Sequence, residues 1–371
     1  KQSEQKEVMV DALNRQEPTM TASDSPPRSP RTPLATSRKR QCRVCVGAYG
    51  TQGARREMED SHQVATPGVD LAGDDRASCL RLTGAFMGVF DGHAGPTAAS
   101  RAASILHKRV FASKHYPHDM SAALQEAFLV TEDDVVSSCK DGTTAVVAVI
   151  MDGSLHVAHV GDSEAVLCRA GVAQPLTTPH AAKLNEQERN RVLQEGGRLI
   201  CNNTRVGHPT LNAQMFSLPI TRSLGDVVLK SDKYLRGCPS GISATPDVQS
   251  HELGGDDDFL LLACDGLWEV LEHQRAVDIV REHLATDPDP AAAARQLAAQ
   301  AVALGSRDNV TCVVAVLSHR EAPTPVSIAT KRFETESLVA GSRASWDGNQ
   351  EHELLKTLRR VSQTSYGAQS A

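Results

Sequence analysis

Apolar residues along this chain gather into short unbroken runs, and several of those runs end on an acidic residue or a glycine turn. Seven runs read as strands: 42–50 (CRVCVGAYG), 80–90 (LRLTGAFMGVF), 144–151 (TAVVAVIM), 155–161 (LHVAHVG), 164–169 (EAVLCR), 259–264 (FLLLAC) and 310–317 (VTCVVAVL). Most are continuously apolar rather than alternating, which predicts sheets covered on both faces. Met151-Asp152-Gly153 carries a tight-turn signal between the third and fourth runs, so those two are expected to pair antiparallel. Helical spacing falls in separate blocks. One starts at Pro96 and repeats Ala99, Ala103, Leu106 and Val110 on one face; another repeats Leu124, Phe128, Thr131 and Val135. Further blocks cover 185–195 (stopping at Gly196-Gly197), 276–284, and Ala294, Leu297, Ala298 and Ala301. Strands following strands and helices following helices predict an α+β layered domain, not a doubly wound parallel sheet.

Three segments are expected. Residues 1–40 are polar and rich in Ser, Thr, Pro and Gln, a composition that cannot bury a core and predicts disorder. They hold Ser-Pro and Thr-Pro steps at Ser25, Ser29 and Thr32, and a basic triplet Arg38-Lys39-Arg40 too short to assert nuclear import. Residues 41–319 form the folded domain. Residues 320–371 form a polar tail with a short helix over 351–361, and Ser345 and Ser362 there follow arginines in the manner of basophilic kinase sites.

Composition narrows the function classes. Forty per cent hydrophobic residues in 371 describe an ordinary globular chain, and a net charge of −6 gives no support to nucleic-acid binding. No apolar run approaches the ~20 residues of a membrane span. The nine cysteines are scattered, and Cys264 and Cys312 lie inside apolar runs as small hydrophobes. That usage suits a reducing, intracellular setting, cytoplasmic or nuclear. Cys42 and Cys45 would face opposite sides of a strand, which argues against a zinc or redox pair.

The chemistry sits where the apolar runs stop. Asp91 closes AFMGVF and is followed at once by Gly92 and His93; Asp265 closes FLLLAC; Asp162 follows Val160-Gly161; Asp308 immediately precedes the last run. One aspartate at a strand end is usually a turn former. Four at the mouths of four core strands repel one another if they converge, and divalent ions with oxygen ligands would offset that repulsion. Arg55 stands three positions before Met58-Glu59-Asp60, and a guanidinium beside a carboxylate-metal cluster fits phosphate recognition as well as a surface ion pair.

Taken together the motifs resemble the metal-dependent Ser/Thr protein phosphatases, the type-2C or PPM family. They appear in the family's order from Gly47 to Leu317: Arg55-x-x-Met-Glu-Asp60, Val89-Phe-Asp-Gly-His-Ala-Gly95, Asp141-Gly-Thr-Thr-Ala145, Val160-Gly-Asp-Ser163, Thr221-Arg-Ser-Leu-Gly-Asp226, Ala263-Cys-Asp-Gly-Leu-Trp268 and Ser306-Arg-Asp-Asn-Val310. The resemblance implies a four-layer α-β-β-α sandwich of two mainly antiparallel sheets flanked by helices. It implies a monomeric protein phosphatase that hydrolyses phosphoserine and phosphothreonine by direct attack of a metal-bridging hydroxide. By position, Asp91 would bridge two Mg²⁺ or Mn²⁺ ions, the Gly92 carbonyl would bind one, and Asp265 and Asp308 would complete the other. Glu59 and Asp60 would hold metal-bound waters, and Asp162 would take a third, weaker ion shared with Asp265. Arg55 would grip the phosphate, and His93 would protonate the leaving alkoxide.

Two departures stand out. The family's Asp-His-Lys-Pro-like run is replaced by Thr178-Pro179-His180-Ala181, although Glu188 and Arg191 follow the family pattern. The stretch 201–216 matches no pattern, and it falls in the flap beside the family's active site, where substrate preference is set. His156, His159 and His208 read as structural or solvated. Two rivals remain at this level: a catalytically silent scaffold, against which stand the retained Asp91, Asp265, Asp308 and Arg55, and a hydrolase of small phosphate esters.

Overall fold

The computed structural model of the chain describes residues 41–67, 69–70, 78–80 and 84–320. The candidate sites at Ser25, Ser29, Thr32, Ser345 and Ser362 therefore lie outside the described residues, as do the basic triplet and the tail helix.

Two six-stranded sheets dominate. In spatial order the first runs β11 (Val172–Pro175), β10 (Glu164–Arg169), β16 (Asp257–Ala263), β17 (Val310–Arg320), β1 (Gln41–Thr51) and β4 (Ser78–Leu80). The second runs β15 (Asp247–Glu252), β9 (Ser154–Val160), β8 (Ala145–Met151), β5 (Ala85–Phe90), β2 (Ser61–Thr66) and β3 (Val69–Asp70). Every neighbouring pair in both sheets is antiparallel. The β8–β9 hairpin turns on Asp152 and Gly153, both with positive φ, as the Asp-Gly signal demanded.

Side-chain alternation explains the layers. Met87, Val89, Val146, Ala148, Leu260, Leu262, Val313 and Ala315 point inward between the two sheets and form a shared core. Their neighbours one residue along face out. Phe86, Phe90, Val147 and Val149 pack under α1 (Thr97–Ala112) and α2 (Met120–Ser138). Phe259, Leu261, Cys312 and Val314 pack under α7 (His273–Leu284) and α8 (Pro290–Ala303). Both faces of both sheets are thus covered, which is why the strands read as continuously apolar. The result is the expected α-β-β-α sandwich.

Smaller elements complete the domain. A three-stranded ribbon, β14 (Leu224–Gly225), β7 (Gly142–Thr143) and β6 (Gly92–His93), runs beside the end of β5. The flap holds α3 (Glu186–Gln194) and the hairpin β12 (Arg198–Ile200) and β13 (Arg205–Gly207), with its own small core of Ala182, Val192, Val206, Leu229 and Ile242. Short helices α4 (Val227–Lys230), α5 (Asp232–Leu235) and α6 (Asp265–Trp268) fill the remaining connections. Among the described residues no helix is long and apolar enough to cross a membrane. One expectation fails: Cys45 is held in a disulfide, so the cysteines are not all the reduced, unpaired residues that their scattered placement predicts. Cys139, Cys168, Cys201, Cys238, Cys264 and Cys312 are free.

Candidate metal centre and phosphate site

The antiparallel register brings the four strand-end aspartates to one end of the sandwich. Asp91 leaves β5, Asp162 leaves β9, Asp265 opens α6 directly after β16, and Asp308 precedes β17. All four are half-buried, whereas Asp60, just before β2, is buried. Oxygens of Asp60 and Asp91 lie within 4.8 Å of each other and of the Cys264 sulfur.

Backbone around Asp91 is pinned on both sides. Its N–H donates to the Thr144 hydroxyl (3.2 Å), while its carbonyl accepts from Thr144 N–H (2.9 Å) and from the Thr143 hydroxyl (3.1 Å). Gly92 follows on β6, so close to the Glu59 carbonyl that a Cβ would lie 2.3 Å from that oxygen. Asp60 accepts a hydrogen bond from the Thr311 hydroxyl at 2.7 Å.

The electrostatics of the cluster are those of like charges withdrawn from water. Burial pushes the Asp60 carboxyl up to about 6, and the charge of Asp308 adds to it. Burial also raises Asp162 to about 6, with Glu164 and Glu269 reinforcing the shift. Asp265 rises to about 8, through burial first and then the charge of Asp162. Asp91 lies well above the ordinary carboxylate range because of burial and the charges of Asp265, Asp60 and Asp162. Such a set of oxygens suits a hard divalent cation. Cys264 does not change that choice. Burial and the neighbouring aspartates hold its thiol well above its usual range, and it spends its sulfur on the Asn309 carbonyl (3.5 Å) and the Thr311 N–H (3.2 Å).

On one side of the cluster Arg55 reaches Asp308 at 2.5 Å, with half its side chain exposed. Burial opposes its charge, but the Asp308 carboxylate outweighs burial and keeps the guanidinium firmly basic. On the other side His93 Nε2 lies 2.9 Å from both oxygens of Asp226. Burial lowers its basicity, Asp226 more than restores it, and the net shift is upward. Asp226 is itself anchored by the Ser223 hydroxyl at 2.6 Å and takes a left-handed backbone conformation.

All nine residues singled out in the sequence lie at this end of the fold. Three further residues join them without a sequence-based role. Asp226 lies in a recognised motif, but its pairing with His93 spans 133 residues and leaves no local trace. Glu269 sits one turn beyond Asp265 and adds its charge to Asp162 and Asp265; the i, i+4 spacing was the available signal. Asn309 bonds the Arg55 loop. The three histidines read as structural or solvated are satisfied structural groups: His156 meets the Ser250 hydroxyl, His159 Nε2 donates to the Thr178 carbonyl, and His208 Nε2 donates to the Cys238 carbonyl.

Comparison with known proteins agrees with this geometry. The family model described as Protein phosphatase 2C matches residues 45–310. The chain is 32% identical over 289 residues to "Probable protein phosphatase 2C 22" of Arabidopsis thaliana, covering 76% of this chain and 70% of that one. It is 35% identical over 283 residues to "Probable protein phosphatase 2C 2" of Oryza sativa subsp. japonica, covering 72% and 70%. A solved serine-threonine phosphatase 2C from Toxoplasma gondii shares the fold with a TM-score of 0.60 at 21% identity, covering 74% of this chain and 95% of that one. The chain therefore belongs to the protein phosphatase 2C (PPM) family of metal-dependent Ser/Thr phosphatases. It is a phosphoprotein phosphatase.

Proposed function

We propose that residues 41–319 form a catalytic unit that hydrolyses phosphoserine and phosphothreonine in one displacement, with Arg55 holding the phosphate and His93 supplying the proton. The observation that carries this reading is a converged set of aspartates without enough positive charge of its own, flanked by one arginine and one histidine paired with a carboxylate. Asp91, the Gly92 carbonyl, Asp265 and Asp308 would hold two Mg²⁺ or Mn²⁺ ions, with Glu59 and Asp60 orienting solvent on them; Asp162, with Asp265, would take a third. When bound, such ions neutralise the carboxylates and make a shared water acidic enough to attack phosphorus near neutral pH.

The chain's own residues supply the rest. The Arg55 fork matches two phosphoryl oxygens and can leave Asp308 for them, since half of its side chain is exposed. Burial works against a proton on His93, but Asp226 facing it shifts the balance toward the protonated form. With Nε2 engaged by that carboxylate, Nδ1 is the nitrogen left to protonate the departing serine or threonine oxygen. A covalent route through Cys264 is disfavoured, because a protonated thiol is a poor nucleophile. The flap beside the site lacks the family's usual run at 178–181, and substrate choice is assigned to it. Phosphopeptide turnover before and after EDTA, with Mn²⁺ or Mg²⁺ added back, tests the reading. Loss and recovery are expected; turnover that ignores chelation would sink it.

A further inference from the structure

Arg55 stands on a loop between β1 and β2 with an exposed side chain, so its aim depends on what holds that loop. The structure assigns this task to Asn309, as a positioning residue that fixes the Arg55 loop against the carboxylate cluster. The assignment rests on the reading of Arg55 as the phosphate grip. Asn309 is 3% exposed, and each polar hydrogen-bonding function of its side chain is used on that loop. Nδ2 donates to the carbonyls of Gln52 (2.8 Å) and Glu57 (3.0 Å), and Oδ1 accepts from the Glu59 N–H (2.8 Å). These three anchors bracket Arg55 on both sides. Inside the bracket, Gln52 Nε2 donates to the Arg55 carbonyl at 2.9 Å and closes the turn.

The loop and the cluster also touch through backbone. Gly53 lies so close to the Asp308 carbonyl that a Cβ would sit 2.1 Å from it, and a Cβ on Gly266 would sit 2.0 Å from the Asn309 carbonyl. The backbone of Asp308 and Asn309 is therefore wedged between the residue two before Arg55 and the residue after Asp265. The Asn309 N–H donates to Asp308 Oδ1 at 2.7 Å, so the same residue also orients the carboxylate that Arg55 meets. Only an amide of this length offers two donors and one acceptor here. Aspartate loses both donors, serine is too short to bridge three points, and glutamine is one methylene too long. A loop of this kind, left loose by about 1 Å, costs on the order of 10²-fold in rate.

The test uses the full chain. Asn309→Asp should accelerate amide hydrogen exchange across 52–60 in the metal-free protein. With Mn²⁺ it should raise the inhibition constant of inorganic phosphate and lower kcat/KM for a phosphopeptide by about 10–100-fold. In an Arg55→Ala background the same change should cost less than about three-fold more, because the two residues act as one unit. Wild-type exchange over 52–60, or losses that simply multiply, would overturn the assignment. Should Asn309→Asp not fold, Asn309→Ser carries the same exchange measurement: faster exchange over 52–60 supports the assignment and wild-type exchange overturns it. If Arg55→Ala leaves phosphate inhibition unchanged, the arginine reading fails, and the exchange result alone still decides whether Asn309 holds the loop.

Discussion

Two acidic regions of this molecule behave in opposite ways. At the metal centre, half-buried and buried aspartates are pushed up to about 6 (Asp60, Asp162) and about 8 (Asp265). At the root of the flap, Glu188 is buried as well, yet it is held far below its ordinary range. Burial alone would raise it too. The difference is the counter-charge: Glu188 accepts from Arg222 (2.7 Å), Arg191 (2.8 Å) and the Thr221 hydroxyl (2.6 Å). Asp247 nearby is likewise held low, by the His180 hydrogen bond first and then by Arg222. One region carries its cations in the chain. The other leaves much of its negative charge to be met from outside, which is what a site for exchangeable metal needs and a structural ion pair does not.

The contrast can be broken at either end. Asp91→Asn should reduce phosphopeptide turnover by at least about 10³-fold, the scale of losing a principal electrostatic element. The same variant should raise the melting temperature of the EDTA-treated protein at neutral pH, because an amide escapes the cost of burying a carboxyl that its neighbours keep from ionising. Parallel turnover assays and thermal melts check both, and a lower apo melting temperature would contradict that cost. Glu188→Gln should do the opposite. It leaves two arginines short of their buried partner and should destabilise the domain by about 3 kcal/mol, read from denaturant unfolding. His93 lies beside the centre but already has its counter-charge in Asp226, so its loss should be selective. His93→Ala should lower kcat on a phosphopeptide by about 10²-fold and much less on p-nitrophenyl phosphate, whose leaving group needs little protonation. Equal losses on both substrates would remove the acid role.

The smallest effect concerns pH. Carboxyls raised in the folded state weaken the metal-free fold as pH climbs from their unfolded value near ~4 through the folded values of about 6 to 8. The flap-root acids, shifted down, contribute above ~4 and lose that contribution only as pH falls below it. His159, pushed down to about 4, and His180, also lowered, add a loss as pH falls below ~6.5. None of these flap-root groups lies in the cluster, so their contributions cancel in a comparison with and without metal. The gain in melting temperature from saturating Mn²⁺ should therefore grow between pH 5.5 and 8. It should grow by several degrees, since ~1 kcal/mol corresponds to about 2–4 °C in a domain of this size.

Legibility from sequence followed the same division. Asp91, Asp162, Asp265 and Asp308 were readable because each interrupts or borders a long apolar run, and a core strand fixes where its end lies. The sandwich was readable because both faces of most strands are covered. Strand β15 (DVQSHE) was missed, since it is mostly exposed and shows no apolar period. Strand β2 was missed because only its middle three residues are buried. Asp226 and Asn309 could not be assigned, because their partners lie 133 residues and about 250 residues away along the chain. Composition also misjudged Cys45, which is held in a disulfide.

A cluster of buried aspartates short of cations should keep protons that an incoming metal ion displaces. Calorimetric titration of Mn²⁺ into EDTA-stripped protein at pH 7, repeated in buffers of different ionisation enthalpy, counts the protons displaced. Binding of two ions with net proton release is the expected result; binding without release, or no binding, would contradict the account.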